Sequence, residues 1–311
     1  MVKKCCFGVD VGGTTIKLGL FTIDGTLLDK WEIPTRTQEN GTCILPDAAQ
    51  AVLGKASEQG ISREEIAGIG IGVPGPVDES GEVPFAVNLH WGHVDVAGDM
   101  ERLTGIPTKA GNDANVAALG EQWKGGGSGC RNMILVTLGT GVGGGVIVNE
   151  RIIHGSHGAG GEIGHAHVED AITDPCNCGN CGCLEQVASA TGIVRLAREE
   201  LAGGDPSVLR DKKLSAKAVW DGVKAGDEVS LRVAERFGRY LGKALAVYAC
   251  VTDPEVIVIG GGVSKAGPVL LDYVTRYFKQ YAFSACKETD FRLATLGNDA
   301  GIYGAARMTL L

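Results

Sequence analysis

The sequence predicts an α/β protein with two domains. Its 311 residues suit two domains of ordinary size and are enough to bury roughly 75% of the unfolded surface. Two segments, residues 5–22 and 133–149, share one plan: an apolar strand, a glycine-rich turn and a second apolar strand. Helical spacing of apolar residues dominates much of the chain after residue 190. Strands and helices combined in this way are typical of layered α/β folds.

The composition narrows the possible functions. Hydrophobic residues make up 44% and charged residues 21% of the chain, which is an ordinary globular balance. The net charge of −8 argues against a general surface for nucleic acid or for anionic membranes. The 48 glycines have no collagen-like period, so they predict tight turns and places where the backbone approaches a ligand closely.

The cysteines and the N-terminal segment predict a reduced, cytoplasmic protein. Ten cysteines in a chain of 311 residues are too few for a disulfide-dense scaffold. The apolar run at the N-terminus stops at Asp10, which is too short for a signal peptide. No stretch approaches the roughly 18 apolar residues of a transmembrane helix. We therefore expect a soluble protein of the cytoplasm without a membrane partner.

The first strand–turn–strand segment is a candidate phosphate site. Strands are predicted over residues 5–11 and 16–21. The turn between them consists of Gly12, Gly13, Thr14 and Thr15. Consecutive N–H groups and hydroxyls in such a turn can cradle a phosphate, while Asp10 stands where a carboxylate can hold hydrated Mg²⁺ and Lys17 follows within reach of a phosphate. The alternative is an ordinary hairpin with a glycine-rich turn.

The next segments predict further strands and a helix. A third strand is expected near residues 26–33, a helix over 47–59, and a buried strand in 66–78 that ends at a Pro-Gly-Pro break. Ligands of layered α/β sheets collect at such strand ends. Beyond this strand Asn88 ends a polar loop, where it either faces a polar ligand or simply makes a turn.

Residues 108–126 run from a short strand into an alanine-rich helix. Helical spacing covers residues 115–123, and Asn112 or Asp113 occupies the cap region. An aspartate at this place is commonly an N-cap. The other interpretation of Asp113 is a catalytic carboxylate at the mouth of a cleft, and its position in the sequence does not separate the two.

The second strand–turn–strand segment, residues 133–149, carries the turn Gly139-Thr140-Gly141. Two such hairpins would let two domains hold phosphates from opposite sides, so their repetition favours phosphate binding more than either hairpin alone. A strand at 256–259 is followed by three glycines, an arrangement that lets the backbone approach a nucleotide. Helices are predicted over 191–201, 215–224 and 229–251, and a strand, a turn and a short helix end the chain.

The stretch from Gly158 to Glu185 predicts a zinc site. It contains a Cys-x-Cys-Gly knuckle, a further cysteine and an upstream histidine, which are the ligand types of tetrahedral Zn²⁺ sites. Four-coordination is completed by His165, Cys176, Cys178 and Cys183. Cys181 is then left over, and a closed site of this kind is structural. The alternatives are free thiols or a disulfide pair, while the nearby carboxylates of Glu162 and Glu185 suggest that the metal shapes a pocket.

Together these motifs resemble the ROK family of bacterial sugar kinases and repressors, within the actin-like ATPase superfamily. VDVGGTTIKLG is similar to the family's first phosphate motif, LGTGVGGGV to its second and VIVIGGGVS to its adenosine motif. The patterns GxxGHxHV and CxCGxxGCxE match the family's signature and its zinc knuckle. The resemblance covers nearly the whole chain.

The resemblance implies a two-domain actin-like ATPase (ribonuclease H-like) fold with a cleft between the lobes and a structural zinc site. The small α/β domain would comprise residues 1–113 and about 299–311, and the large α/β domain, with the zinc-binding loop, residues 114–298. ATP, Mg²⁺ and Zn²⁺ are the implied cofactors. Related proteins are often dimers or tetramers, so a homo-oligomer is expected.

The resemblance also implies roles for individual residues. Asp113 would be the base that orients and deprotonates the sugar hydroxyl. The sugar would be bound by Asn88, Asn112, Asp113, Glu162, His165 and Glu185. The nucleotide and Mg²⁺ would be held by Asp10, Gly12, Gly13, Thr14, Thr15, Lys17, Gly139, Thr140, Gly141 and Gly261. His165 would serve twice, with one ring nitrogen on zinc and the other toward the sugar.

A kinase fits the sequence better than a repressor of the same family. The first strand begins by Cys5, which leaves no room for an N-terminal helix-turn-helix, and the catalytic position holds Asp113. Among the kinases, the segments LLDKWEIPTRT and AVNLHWG look most like the glucokinases of the family. The expected reaction is ATP-dependent phosphorylation of glucose. N-acetylmannosamine or another hexose as substrate, and a non-catalytic sugar sensor, are the alternatives.

Overall fold

The computed structural model describes residues 2–311, and the chain divides into two compact units. The first unit comprises Met1–Gly129, Ile152–Gly160 and Leu296–Leu311, and the second comprises Cys130–Arg151 and Gly161–Thr295. The resemblance places a boundary after residue 113, whereas here the helix that follows stays with the first unit. Its packing, described below, gives the reason.

The chain contains both strands and helices throughout its length, in keeping with the predicted α/β fold. The strands are β1 (Cys5–Val11), β2 (Thr15–Thr22), β3 (Leu27–Pro34), β4 (Ile66–Val73), β5 (Glu82–Val83), β6 (Val94–Asp95), β7 (Thr108–Asn112), β8 (Met133–Leu138), β9 (Val142–Val148), β10 (Arg151–Ile152), β11 (Val256–Gly260) and β12 (Asp290–Leu293). The helices are α1 (Ile44–Glu58), α2 (Val96–Thr104), α3 (Asp113–Lys124), α4 (Glu185–Ala188), α5 (Ala190–Ala202), α6 (Ala216–Lys224), α7 (Glu228–Thr252), α8 (Pro268–Tyr281) and α9 (Ala300–Met308). No helix within residues 2–311 has the length and apolar character needed to cross a membrane.

The first unit is built on a five-stranded sheet in the order β3-β2-β1-β4-β7. Strands β1, β2 and β3 are joined antiparallel, whereas β4 and β7 run parallel to β1. Asp10 pairs with Lys17 across the hairpin and with Gly72 on the parallel side. Because parallel strands end at the same edge of a sheet, the ends of β1, β4 and β7 bring Asp10 and Asn112 to one edge.

The second unit repeats this plan. Its sheet has the order β10-β9-β8-β11-β12, with an antiparallel β8–β9 hairpin and with β11 and β12 parallel to β8. Leu138 pairs with Val142 at the end of the hairpin, and Thr137 pairs with Gly260 on the parallel side. The turn at 139–141 and the glycines after β11 therefore share one edge. The common plan of the two strand–turn–strand segments is confirmed by this topology.

Helix α2 and the short strands β5 and β6 were not predicted from the sequence. Gly98 lies in the first turn of α2, where glycine weakens the helical signal. The helix begins because Asp95 caps it, accepting a hydrogen bond from the Gly98 N–H at 2.8 Å. Val96 and Met100 are fully buried in the core of the first unit. Tertiary burial, rather than local pattern, stabilises this helix.

Helices α3 and α9 pack with their backbones in close contact, which keeps α3 in the first unit. A Cβ added at Gly120 would come closer than 3.0 Å to the carbonyl of Ala300, and one added at Gly304 would do the same to the carbonyl of Val116. Real Cβ atoms do not show such separations. Glycine on each helix therefore permits the contact.

We expect Gly304→Ala to lower the free energy of unfolding by at least ~2 kcal/mol, because the new methyl group would push the two backbones apart. Gly54→Ala in α1 is the matched control, since no atom of residues 2–311 outside its own helix backbone lies within 4 Å of its Cβ position. There alanine should raise the free energy of unfolding by about 0.5–1 kcal/mol. Urea unfolding measures both, and equal effects would contradict a backbone contact between α3 and α9.

Candidate active site and metal centre

The glycine-rich turn after β1 is tied closed by backbone bonds. The Gly12 N–H donates to the Thr15 carbonyl at 3.0 Å. Thr35 braces the turn from outside: its hydroxyl donates to the Gly12 carbonyl at 2.7 Å, and its N–H donates to the Thr14 carbonyl at 2.9 Å. Gly13 and Thr14 remain exposed. Thr35 was not predicted as a site residue, because its role depends on the pairing of β2 with β3.

Asp10 lies at the end of β1, packed under the first turn of α9. A Cβ at Gly301 would lie 2.5 Å from the Asp10 carboxylate, so only glycine fits there. Burial raises the pKa of Asp10 to about 6, the nearby Lys17 ammonium opposes this shift, and the negative charge of Asp113 adds to it. Lys17 Nζ also donates to the Asn298 carbonyl at 3.1 Å. A buried carboxylate of this kind is suited to a divalent cation.

Asn112, and not Asp113, caps helix α3. Its side-chain oxygen accepts hydrogen bonds from the N–H groups of Ala114 (3.0 Å) and Asn115 (3.2 Å). Its amide nitrogen donates to the Gly75 carbonyl at 3.0 Å. Asp113 is therefore the first helical residue, with an exposed side chain. Asn112 therefore fills the N-cap position, and Asp113 Oδ1 additionally accepts a hydrogen bond from the Ala114 N–H at 2.8 Å.

Asn88 and Asn112 differ in how much of their side chains is available to a ligand. Asn112 uses its oxygen and one amide hydrogen within the protein, which leaves one N–H. Asn88 is exposed in a 3-10 turn that ends at His90 in the left-handed conformation (φ 60°). The backbone carbonyl oxygen of Asn88 lies 3.7 Å from the point where a Cβ added to Gly13 would stand. The loop that carries Asn88 thus borders the first phosphate turn.

The turn at 139–141 in the second unit is held by helix α5. The Gly139 N–H donates to the Gly141 carbonyl at 3.0 Å, and the Gly139 carbonyl accepts from the Ala190 N–H at 2.8 Å. The Thr191 hydroxyl donates to the Thr140 carbonyl at 2.8 Å. Thr191 was not predicted as a site residue, because nothing in its local sequence links it to Thr140, 51 residues earlier.

A cavity of about 550 Å³ adjoins this turn. Gly139 and Thr140 line it together with Trp220 and the ion pair Lys217–Asp221 from α6 (2.6 Å). Gly261 packs beside it with φ 82°, and a Cβ there would lie 2.5 Å from the Leu138 carbonyl oxygen. Glycine is therefore required at 261 by both conformation and space. The contribution of α6 was not predicted, since its residues show only a helical pattern.

The knuckle brings four ligand atoms of the right chemistry together. One imidazole nitrogen and three thiol sulfurs lie within 4.8 Å of one another, and they belong to His165, Cys176, Cys178 and Cys183. The Sγ atoms of Cys178 and Cys183 are 3.6 Å apart, close to the roughly 3.8 Å expected for two thiolates on one tetrahedral Zn²⁺ with bonds of ~2.3 Å. The donor set fits a structural zinc ion. Cys181 is not one of these four ligand residues, and its thiol donates to the Thr173 carbonyl at 3.1 Å.

His165 presents its two ring nitrogens to different partners. Nδ1 lies 3.6 Å from Cys176 Sγ, whereas Nε2 lies 3.7 Å from a carboxylate oxygen of Glu162. Glu185 approaches from the other side, with Oε1 2.9 Å from Cys176 Sγ and 3.9 Å from His165 Nδ1. Burial and this hydrogen bond to Glu185 raise the pKa of the Cys176 thiol. Two carboxylates therefore flank the cluster.

We expect Cys183→Ser to lose bound zinc, because it removes a buried member of the four-ligand cluster. Cys181→Ser is the matched control in the same knuckle and should keep close to one zinc per chain. Metal analysis of the purified variants measures the difference. Zinc loss in Cys181→Ser with retention in Cys183→Ser would exchange the two residues in the ligand set.

This chain is similar to known proteins over nearly its whole length. The model of the ROK family matches residues 6–310. A glucokinase from Halalkalibacterium halodurans is 47% identical, and the match covers 98% of this chain and 94% of that protein. A glucokinase from Thermotoga maritima is 37% identical over 98% and 97% of the two chains. The crystal structure of a ROK family glucokinase from Streptomyces griseus in complex with glucose and AMPPNP is 32% identical, with a TM-score of 0.74 and 98% of each chain covered.

Proposed function

Since the chain belongs to the ROK family, we propose that it phosphorylates glucose with ATP, forming glucose 6-phosphate and ADP. The observation that carries this proposal is the 47% identity to a glucokinase across nearly the full length of both proteins. The actin-like ATPase fold that the sequence resemblance implies agrees with the ROK structures that this chain matches. The similarity to these kinases implies ATP as the phosphoryl donor, bound together with Mg²⁺.

The nucleotide contacts are proposed from two turns. In the first unit, Gly13 and Thr14 are exposed in the turn after β1, with Lys17 nearby. In the second unit, the cavity beside 139–141 has an apolar wall formed by Trp220 and space for a purine. Asp10 would hold the Mg²⁺, which neutralises charge on the phosphate oxygens.

We assign the base to Asp113. Phosphoryl transfer depends mainly on positioning and charge stabilisation, so the residue needs an exposed carboxylate held in a fixed place. Asn112 supplies the fixed place by capping α3, and Asp113 follows at its first position. The helix N-terminus favours the charged carboxylate, so Asp113 would orient the hydroxyl by accepting its hydrogen bond and would take the proton late in the reaction.

The zinc cluster is proposed to be a scaffold for sugar recognition. Glu162 contacts the Nε2 side of His165 while the Nδ1 side faces the thiols. Folding of the knuckle around a metal would therefore orient the histidine and the carboxylates that hydrogen-bond the sugar. The metal itself takes no part in the chemistry, since four protein ligands leave no open position.

A coupled assay with ATP and Mg²⁺ across glucose, N-acetylmannosamine, N-acetylglucosamine, mannose, fructose and allose tests the proposal. We expect a glucose preference of at least tenfold in kcat/KM, about 1.4 kcal/mol of transition-state discrimination. Turnover with an amino sugar alone would keep the kinase and change its substrate. Tight glucose binding without any turnover would replace the kinase by a sugar sensor.

A further inference from the structure

The carboxylate of Glu185 touches two parts of the second unit that the proposed function treats separately. Oε1 lies 2.9 Å from Cys176 Sγ, on the side of the metal cluster. Oε2 accepts a long hydrogen bond of 3.4 Å from the Val142 N–H, at the start of β9 and directly after the turn at 139–141. A single side chain therefore spans from the zinc ligands to the phosphate turn.

Gly141 shows how closely the carboxylate is packed against this turn. A Cβ built at Gly141 would come closer than 3.0 Å to Glu185 Oε2. Among residues 2–311, apart from its chain neighbours, no other residue has an atom within 4 Å of that Cβ. The φ angle of Gly141 lies outside the left-handed range that favours glycine. Among the contacts within residues 2–311, the one with Glu185 is what requires glycine at 141.

The rest of the turn has supports that do not involve Glu185. The Gly139 carbonyl accepts from the Ala190 N–H, and the Thr140 carbonyl accepts from the Thr191 hydroxyl. Both partners belong to α5, whose N-cap Ser189 is fully buried. The Gly141–Val142 side has the Gly139 N–H bond and the Leu138 pairing within the hairpin, and its contact outside the hairpin is the carboxylate that also contacts the cluster.

From this geometry we infer that Glu185 is a positioning residue for the phosphate turn, and that metal loading of the knuckle sets nucleotide affinity through it. Glu185 is the first residue of α4 and lies two residues after the ligand Cys183, with the fully buried Leu184 between them. An ordered knuckle fixes the backbone at residue 185, so the carboxylate stays against Gly141 and Val142. The inference rests on the proposed function in one respect: the ligand of the turn is taken to be the phosphates of ATP.

The test measures nucleotide affinity without sugar, since a residue that only binds sugar would not change it. AMPPNP with Mg²⁺ is titrated into the zinc-loaded protein by calorimetry. We expect Glu185→Ala to weaken binding about tenfold. Glu185→Gln, which keeps the shape and an acceptor for the Val142 N–H, should stay within about threefold of the unsubstituted protein.

A double-mutant cycle isolates the contact with Gly141. Gly141→Ala alone should weaken AMPPNP binding about tenfold, because its methyl group displaces the carboxylate. In the Glu185→Ala background the same change should cost less than about twofold, since the space is then free. Zinc content and thermal unfolding of each variant establish that the knuckle and the fold persist.

The effect of zinc on nucleotide affinity is tested with the same AMPPNP titration. Removing zinc with a chelator should weaken AMPPNP binding to the unsubstituted protein and should have little further effect on Glu185→Ala. Equal losses in both proteins, or additive effects of Gly141→Ala and Glu185→Ala, would overturn the inference while leaving the kinase proposal intact. Failure of the unsubstituted, zinc-loaded protein to bind AMPPNP at all would overturn both.

Discussion

Replacing Asp113 by asparagine is expected to lower turnover at least ~10²-fold while sugar affinity changes only several-fold. Asparagine keeps the size and the helix position of the side chain, but it accepts a proton poorly. The hydrogen bonds from the Ala114 and Asn115 N–H groups to Asn112 are untouched, and asparagine at 113 keeps an oxygen that can accept the Ala114 N–H as Asp113 does. The loss should therefore appear in kcat, and the helix should remain folded.

Helix α7 offers a matched control for this substitution. Glu228 is the first residue of α7, as Asp113 is of α3, and it is also exposed. Glu228→Gln removes a carboxylate from an equivalent helix position and should leave kcat unchanged. Steady-state kinetics with glucose and a direct binding titration separate the two constants. Near-normal kcat in Asp113→Asn would remove Asp113 from the role of base.

Replacing Asp10 by asparagine is expected to stabilise the ligand-free protein while abolishing its response to Mg²⁺ and nucleotide. Burial raises the pKa of Asp10 from 3.8 in the unfolded chain to about 6 in the folded protein. The folded state therefore holds the proton more tightly, so the stability from this group falls as pH rises from about 4 to 6. A shift of about two units corresponds to roughly 3 kcal/mol at neutral pH and above.

The pH dependence of the stability change distinguishes the burial of a charged Asp10 from other effects of the substitution. Asp10→Asn should raise the free energy of unfolding by about 3 kcal/mol at pH 8 and far less near pH 4, where the carboxyl is protonated in the folded protein and the pH is close to its pKa of 3.8 in the unfolded chain. Asp211→Asn, at an exposed position, is the control and should show little effect at either pH. Stability that changes equally at both pH values would show that the burial of a charge is not the cause. Added Mg²⁺ and AMPPNP should stabilise the unsubstituted protein but not Asp10→Asn.

The two predictions concern one edge of the first sheet. The negative charge of Asp113 contributes to the raised pKa of Asp10. The two carboxylates therefore interact electrostatically although they are about a hundred residues apart in sequence. Both residues were predicted to be functional from separate motifs in the sequence. Their proximity follows from the parallel pairing of β1, β4 and β7, which brings the ends of these strands together.

Most of the long helices and strands were predicted from the sequence, and the features that were not predicted have a common cause. Helices α5, α6 and α7 lie close to their predicted ranges because each carries a strong apolar period. Helix α2 was missed because its glycine and short length hide that period. Thr35 and Thr191 were missed because each braces a glycine turn from a distant part of the chain.

The sequence by itself determined the ROK family, the two strand–turn–strand segments and the candidate zinc ligands, because these features are written in short motifs with fixed spacing. Only the tertiary structure decided which residue caps α3, how deeply Asp10 is buried beneath Gly301, and why Gly141 is a glycine. Each of these depends on contacts between residues far apart in the chain. Backbone hydrogen bonds and van der Waals contact act over a few ångströms, so their partners become known only once the chain is folded.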